Sequence, residues 1–239
     1  KLKGDNTILG MKRFSIQHPR TRNYMVDWYF QKMLKQQGII SARYYFEPVI
    51  INGRRHPIYQ FEEGFEKRLI ENNDRREGPI FKLFYRESKE NNYVPGISFY
   101  QKNKWIQTSQ GKKLLRRVER LIYGFKNGEL NADEVFDVKL FAKTFAILDL
   151  FGHHHAAAKH NIRFYLNPVS GLIEPIPFDN SSIYPLEKWS LIGENFIMNT
   201  KEKQIDQNDS LVFPNVSYLN FSSIMAALFK SATFNEEYL

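Results

Sequence analysis

The dipeptide Asn52-Gly53, set between ARYYFEPVII and RRHPIYQFEEGF, constrains the fold more than any other feature of the chain. A two-residue type I′ turn needs positive φ at both central positions, which Asn and Gly tolerate best, and its twist matches the strands it joins. The two segments are therefore expected to pair as an antiparallel hairpin. Before them, HPRTRNYMVDWYFQKMLKQQG places Met25, Trp28 or Tyr29, Met33 and Gln37 near one helical stripe, widened by Val26, Phe30 and Leu34. The expected helix runs from Thr21 as N-cap to Gln37, with Gly38 at the C′ position. A helix leading into an antiparallel pair points to an α+β fold.

The 239 residues suffice for one large domain or two lobes, and 42% hydrophobic with 15% aromatic residues is ample for a core. The balance of 34 Lys+Arg against 26 Asp+Glu gives +8, which favours anionic partners without choosing among them. Cysteine is absent, which excludes disulfides and thiolate metal sites. No apolar run approaches the roughly 20 residues that span a bilayer, so no integral membrane segment is expected. A sequence that starts at Lys1 with no signal-like apolar region reads as an excerpt or a processed chain.

KLKGDN opens the chain as a basic, glycine-bearing turn able to approach a phosphate. MKRFSIQ alternates like a strand, and Lys12 shares a face with Phe14 and Ile16, so it either snorkels or meets a buried anion. Asp27 lies among the apolar residues of the first helix, either on a solvated flank or directed at a buried lysine. GFEKRLIENNDRREG reads as a polar helix ending near Gly78, and PIFKLFYRE as a strand. The polar stretch 88–111 reads as a loop or insertion between a mostly β half (1–87) and a mostly α half (112–239).

GKKLLRRVERLIYGFKNG is a basic amphipathic helix with Leu114, Val118 and Leu121 on one face; its basic side is solvated or meets a partner or membrane surface. Asp137 is expected to cap DVKLFAKTFAILDLFG, the most apolar helix. IRFYLNP and IEPIPFD then form a hairpin around Asn167, Pro168 and Gly171 that closes on Asp179. Beyond Asp179 the chain is loop-rich, with a last helix expected at 220–230.

The span from Asp149 to Asp179 gathers ionisable groups just after a helix and just after a strand, where sites are built on rigid elements. An amide at Asn161 and a carboxylate at Asp179 suit Mg²⁺, which takes few protein oxygens and completes its shell with phosphates. Protein kinases use an Asn and a later Asp in this way, with a lysine on the phosphates and a helix carboxylate fixing the lysine. Lys12, Asp27, Asn161 and Asp179 occur in that order. His153, His154, His155 and His160 allow a transition-metal site instead, although His155 and His160 lie five apart and a His-Glu-x-x-His pair needs four and a carboxylate. The same histidines also serve simply to cap and hydrogen-bond the turn.

KLKGDN, KRFSIQ, VIINGRRHPIYQFEE, GPIFK and HNIRFYLNPVSGLIEPIPFD together resemble the CotH family of atypical kinase-like proteins, named for a spore coat protein. The resemblance implies a two-lobed kinase-like α+β fold, ATP and Mg²⁺ as cofactors, and phosphoryl transfer to a Ser/Thr hydroxyl of a protein substrate. It implies that Lys3 and Gly4 belong to the phosphate-facing turn, with Lys12 as the phosphate lysine and Asp27 as the helix carboxylate. Glu62 and Glu63 would lie near the adenine, and Asn161 and Asp179 would hold the metal. It also implies a spore-surface or cell-surface, extracytoplasmic setting.

In kinases a catalytic Asp lies five residues before the metal-binding Asn; here that position is Ala156. His155 is the candidate substitute base, and Asp149 the other. The alternative is a pseudokinase or surface-interaction module that keeps the fold without turnover. A nucleic-acid-binding domain rests on charge alone, with no recognised motif, so no nucleic acid partner is expected.

Overall fold

Asn52 and Gly53 both have positive φ, 50° and 75°, and turn the chain between β2 (Tyr44–Ile51) and β3 (Arg54–Glu63), with Ile51 opposite Arg54. The structure is a computed structural model and describes residues 2–87, 93–151, 155–157, 161–180, 228 and 230–238. β1 (Phe14–Gln17) pairs with the other edge of β3, giving an antiparallel sheet of order β1-β3-β2. Pro48, which has no N–H to give the ladder, sits at a register shift between Glu47 and Val49. The last four residues of β3, Gln60 to Glu63, are all buried. β1 is shorter than the sequence pattern suggests, because Leu9 and Gly10 adopt positive φ in a tight turn that bridges Ile8 to Met11. Lys12 therefore precedes the strand.

A second antiparallel sheet has the order β5-β4-β6-β7, from β4 (Ile80–Glu87), β5 (Tyr93–Phe99), β6 (Arg163–Leu166) and β7 (Ile173–Ile176). The stretch 88–111 is thus not the loop expected. It contains β5 and a short helix, α3 (Lys102–Trp105), and its residues 88–92 lie outside the described ones. Pro95 and Gly96 suggested a loop, yet β5 is an edge strand, where a missing N–H costs no interior hydrogen bond. Gly96 faces Phe84, whose ring lies where a Cβ would project. β4 also pairs with β6, so this sheet joins segments from both sides of the expected loop. The chain is an α+β protein with two antiparallel sheets.

The first helix, α1 (Val26–Gln36), starts later than the Thr21 N-cap predicts. Pro19 opens a 3₁₀ turn through Arg22, His18 Nδ1 accepts from Arg20 N at 3.1 Å, and the Thr21 hydroxyl donates to His18 O at 2.8 Å. Asn23 and Tyr24 then take left-handed φ of 48° and 57°, which separates turn from helix. At its other end Gly38 has φ 72°, as a C′ glycine does. α2 (Lys67–Asn72) stops well before Gly78, since Asn73 Nδ2 donates to Leu69 O at 2.7 Å and Ser41 O at 3.0 Å, and Asp74 follows at φ 58°. Thr108 caps α4 (Ser109–Lys126), and Asp137 Oδ1 accepts from Leu140 N at 3.1 Å to cap α6 (Val138–Leu150) as expected. α5 (Ala132–Val135) lies between them, and α7 (Ala232–Tyr238) ends the described chain. The helix expected at 220–230 falls mostly outside the described residues, of which Leu228 is buried.

The main core joins Val118 and Ile122 of α4 to Phe141, Phe145 and Leu148 of α6, Phe81 of β4, Phe164 of β6 and Phe30 of α1. A smaller cluster unites Ile40, Phe65, Leu69, Ile70, Ile80, Tyr165 and Ile176. Each such side chain contributes about 1.5–3 kcal/mol on burial. Among the described residues no helix is long and apolar enough to cross a membrane. Phe81 is fully buried and stacks on Phe164 at 5.6 Å, so Phe81→Ala is expected to lower the unfolding free energy by about 3–5 kcal/mol. Urea denaturation reads this directly, and a loss under about 1 kcal/mol would show that the main core does not depend on this stack.

Candidate functional site

Strand alternation sets the first part of the site. Gln60 and Glu62 share one face of β3, with Gln17 and Ser15 of β1 opposite them and Tyr44 of β2 across from Glu62. Gln17 Nε2 donates to Glu62 Oε2 at 2.6 Å, and Ser15 Oγ donates to the same oxygen at 3.3 Å. The 3₁₀ turn before α1 delivers Arg22 onto this face, where its Nη2 lies 3.3 Å from Glu62 Oε2. The first turn of α1 brings Asp27, whose Oδ2 lies 3.7 Å from Arg22 Nε and accepts from the Tyr44 hydroxyl. Asp27 Oδ1 accepts from Asn180 N at 3.1 Å, so α1 is tied to the chain leaving β7.

That chain completes the cluster. Asp179, at φ 66°, pairs with Arg22 Nη1, and the guanidinium sits over the Phe178 ring at 5.2 Å. A 3₁₀ turn, His155–Ala157, lies against it: His155 Nε2 is 3.7 Å from Asp179 Oδ2, an ion pair only when the imidazole is protonated. Asn161 Nδ2 donates to His155 O at 3.0 Å, which directs the amide nitrogen away and leaves Oδ1 as an acceptor.

The charge count explains the chemistry. Arg22 faces three carboxylates, Asp27, Glu62 and Asp179. Two like charges roughly 5 Å apart at an effective dielectric near 20 repel by about 3 kcal/mol, so the excess negative charge has to take up protons or another cation. Burial pushes the Glu62 carboxyl up to about 7 against the pull of Arg22, with Asp27 adding to the rise. Burial likewise raises the Asp27 carboxyl above its ordinary range, opposed by the Tyr44 hydroxyl and by Arg22. Burial, then the nearby carboxylates, hold the Tyr44 phenol well above its ordinary value, so it remains a donor. Burial pulls the Arg22 guanidinium down, but Glu62, Tyr44, Asp179 and Asp27 outweigh it and leave it above its ordinary value.

Gln60 is fully buried, and both its side-chain Nε2 and Oε1, together with Glu62 Oε1, lack a hydrogen-bond partner among the described residues. Each such group costs about 1–3 kcal/mol unless a water or ligand satisfies it. Among the described residues no group of three His, Asp or Glu is placed to hold a metal ion. Among the described residues nothing donates to Asn161 Oδ1, and oxygens such as this one and those of Asp179 are the donor type that Mg²⁺ takes alongside phosphates.

Several expected site residues lie apart from this cluster. Lys12 pairs with Asp5 at 3.7 Å, and Leu2 N donates to Lys12 O at 3.0 Å, so Lys12 belongs with the exposed turn of Lys3 and Gly4; among the described residues no ion pair joins Lys12 to Asp27. The partner of Asp27 is Arg22 instead. Glu62 and Glu63 separate because neighbours on a strand face opposite ways. Glu63 Oε2 accepts from Arg43 Nε at 2.9 Å and Arg43 N at 3.2 Å, a balanced pair on the other side of the sheet. Asp149 lies in α6, buried, and accepts from the Tyr238 hydroxyl of α7. Ala156 is fully buried in the main core. His153, His154 and His160, and with them the zinc possibility, lie outside the described residues.

Arg22 and Tyr44 are members of this cluster that the sequence pattern did not reveal. The available signal for Arg22 was a basic residue in a Pro-initiated turn just ahead of a helix whose first acid sits among apolar residues. No family model matches the chain, and no match is found among curated proteins.

The raised Glu62 carboxyl makes stability depend on pH. The folded protein holds this proton up to about 7 while the unfolded chain releases it near 4.5, so the stabilisation is complete below 4.5 and is lost as pH rises through 7. Between pH 5 and 8 the wild type is expected to lose roughly 1–3 kcal/mol more stability than Glu62→Gln, measured by denaturant melts at each pH. Equal slopes for the two proteins would show that Glu62 does not carry the proton.

Proposed function

We propose that this chain is a CotH-like, two-lobed kinase-like phosphotransferase that binds ATP with Mg²⁺ and transfers the γ-phosphoryl group to a Ser/Thr hydroxyl of a protein. The observation that carries it is the convergence of Asp27, Glu62, Asp179 and, through His155, Asn161 on Arg22, three carboxyl groups around a single guanidinium. In this arrangement the three-stranded sheet forms the nucleotide lobe, α1 joins it to the core of the other, and the remaining helices with the four-stranded sheet form that other lobe. The nucleotide site of this proposal lies where Arg22 meets Asp179.

Asp179 and Asn161 Oδ1 are the residues that would hold the metal, which when bound supplies positive charge to the phosphoryl oxygens. Arg22 takes the relation to the helix carboxylate Asp27 that the family resemblance gives to Lys12, and is the cation we assign to the phosphates. Asp27 and Tyr44 orient it. His155 Nε2 takes the proton of the attacking hydroxyl as its oxygen bonds to the γ-phosphorus and the bond to the β,γ-bridging oxygen breaks, releasing ADP. A second possibility, a pseudokinase or surface-interaction module, is favoured by one feature. Ala156 packs wholly in the core and Asp149 is engaged by Tyr238, which leaves His155 as the base on offer.

ATP with Mg²⁺ is expected to raise the melting temperature of the wild type, and Asp179→Ala to abolish the shift while melting normally without nucleotide. No shift with any nucleotide would remove both kinase and nucleotide-binding pseudokinase. Transfer from γ-labelled ATP to candidate proteins then separates the two. His155→Ala is expected to reduce turnover on the order of 10²-fold or more with the ATP-induced shift retained; full turnover would reject His155 as base.

A further inference from the structure

The basic face of α4, which the proposed phosphotransferase site does not use, forms a groove of its own. Lys113 and Arg116 lie three apart, as do Arg117 and Arg120, and Lys113–Arg117 and Arg116–Arg120 lie four apart, so the four stand on one side of the helix. With the turn joining β6 to β7, from Pro168 to Gly171, they line an open groove of about 510 Å³. Its walls include no acidic side chain.

The groove is held in shape from the turn side. Asn167 Oδ1 accepts from Val169 N at 2.9 Å, and Asn167 Nδ2 donates to Glu174 Oε1 at 2.7 Å, fixing the turn. Arg117 Nη2 donates to Gly171 O at 3.1 Å. Gly171 has φ 77°, a left-handed conformation that favours glycine, and a Cβ there would push the Arg117 guanidinium aside. Val169 stands 75% exposed at the rim and Leu114 is half-buried beside it, giving the cationic wall an apolar edge.

Among the described residues no carboxylate forms an ion pair with Lys113, Arg116, Arg117 or Arg120. Cations three and four apart on a helix repel, so this row opposes the stability of its own helix. A partner of opposite charge relieves that repulsion.

We propose that this groove docks an acidic peptide segment of a protein partner, an extended run of Asp or Glu residues with an aliphatic side chain set against Val169. From Lys113 to Arg120 the helix advances about 10 Å, the length of roughly three extended residues. Arginine forks bind carboxylates in two-point fashion. The lining holds no aromatic ring on which bases would stack, which separates this groove from a single-strand nucleic-acid platform. The inference stands independently of phosphoryl transfer.

The test is fluorescence anisotropy with a labelled Glu-rich octapeptide containing a central Leu, its Gln-substituted counterpart, and a single-stranded oligonucleotide. The Glu peptide is expected to bind at low salt at least tenfold more tightly than the Gln peptide. Arg116→Glu with Arg120→Glu is expected to weaken it at least tenfold while the melting temperature holds or rises. Arg54→Glu with Arg55→Glu, the same change of net charge on the distant hairpin, is expected to leave binding within twofold. Equal weakening by both double variants would reduce the effect to net charge and overturn the groove. Tighter binding of the oligonucleotide than of the Glu peptide would overturn the peptide assignment.

Discussion

One guanidinium shared by three carboxylates ties this structure together. Arg22 reaches Glu62 on a strand, Asp27 on a helix and Asp179 after the second hairpin, so three elements distant in sequence meet at one charged group. The opposite face of the same strand shows the contrast. There Glu63 takes Arg43 in a two-point pair with a backbone N–H added, one guanidinium to one directly bonded carboxylate. A balanced buried pair needs nothing further, whereas an unbalanced one is retained only if something else supplies the missing charge. The buried polar atoms of Gln60 and Glu62 that lack a partner among the described residues mark the same place.

Function, on the proposed account, uses that imbalance. Phosphates and a divalent cation together bring both signs of charge into the cluster: the phosphates compete for Arg22, and the cation for Asp179. His155 stands beside Asp179, tied to Asn161 through its own carbonyl, so the proposed base and metal ligands move as one unit with the turn that holds them. The core packing of Ala156 has a consequence for the usual kinase pattern. A carboxylate at that position would enter the hydrophobic cluster, so the departure is built into the packing and is not a simple deletion of a side chain.

Much of the fold was legible because short-range physics dictated it. Asn52-Gly53 demanded a hairpin, Asp137 a helix start and Gly38 a helix end, and each operates within a few residues. The errors lie where tertiary context decides. Thr21 is a good N-cap residue, but His18 and Pro19 captured it in a turn. Pro95 and Gly96 read as loop until β4 offers an edge on which to pair. Asp27, Asn161 and Asp179 stand out by residue type and order, whereas Glu62 enters through the family resemblance and His155 through its place beside Ala156; the structure gathers Asp27, Glu62, Asp179 and His155 around Arg22, with Asn161 held on the His155 carbonyl. Arg22 was hidden because a lone arginine in a turn has no local signature, and Lys12 stood out both by kinase order and by an expected strand face shared with Phe14 and Ile16, whereas the turn at Leu9-Gly10 leaves it ahead of β1.

The most direct measurement is a crystal structure of the chain with Mg²⁺ and a non-hydrolysable ATP analogue. The account predicts phosphates against Arg22, a metal on Asp179 and Asn161 Oδ1, and His155 facing the terminal phosphoryl group. Arg22 still bound to Asp179 at saturating analogue, with the nucleotide absent or seated elsewhere, would contradict it.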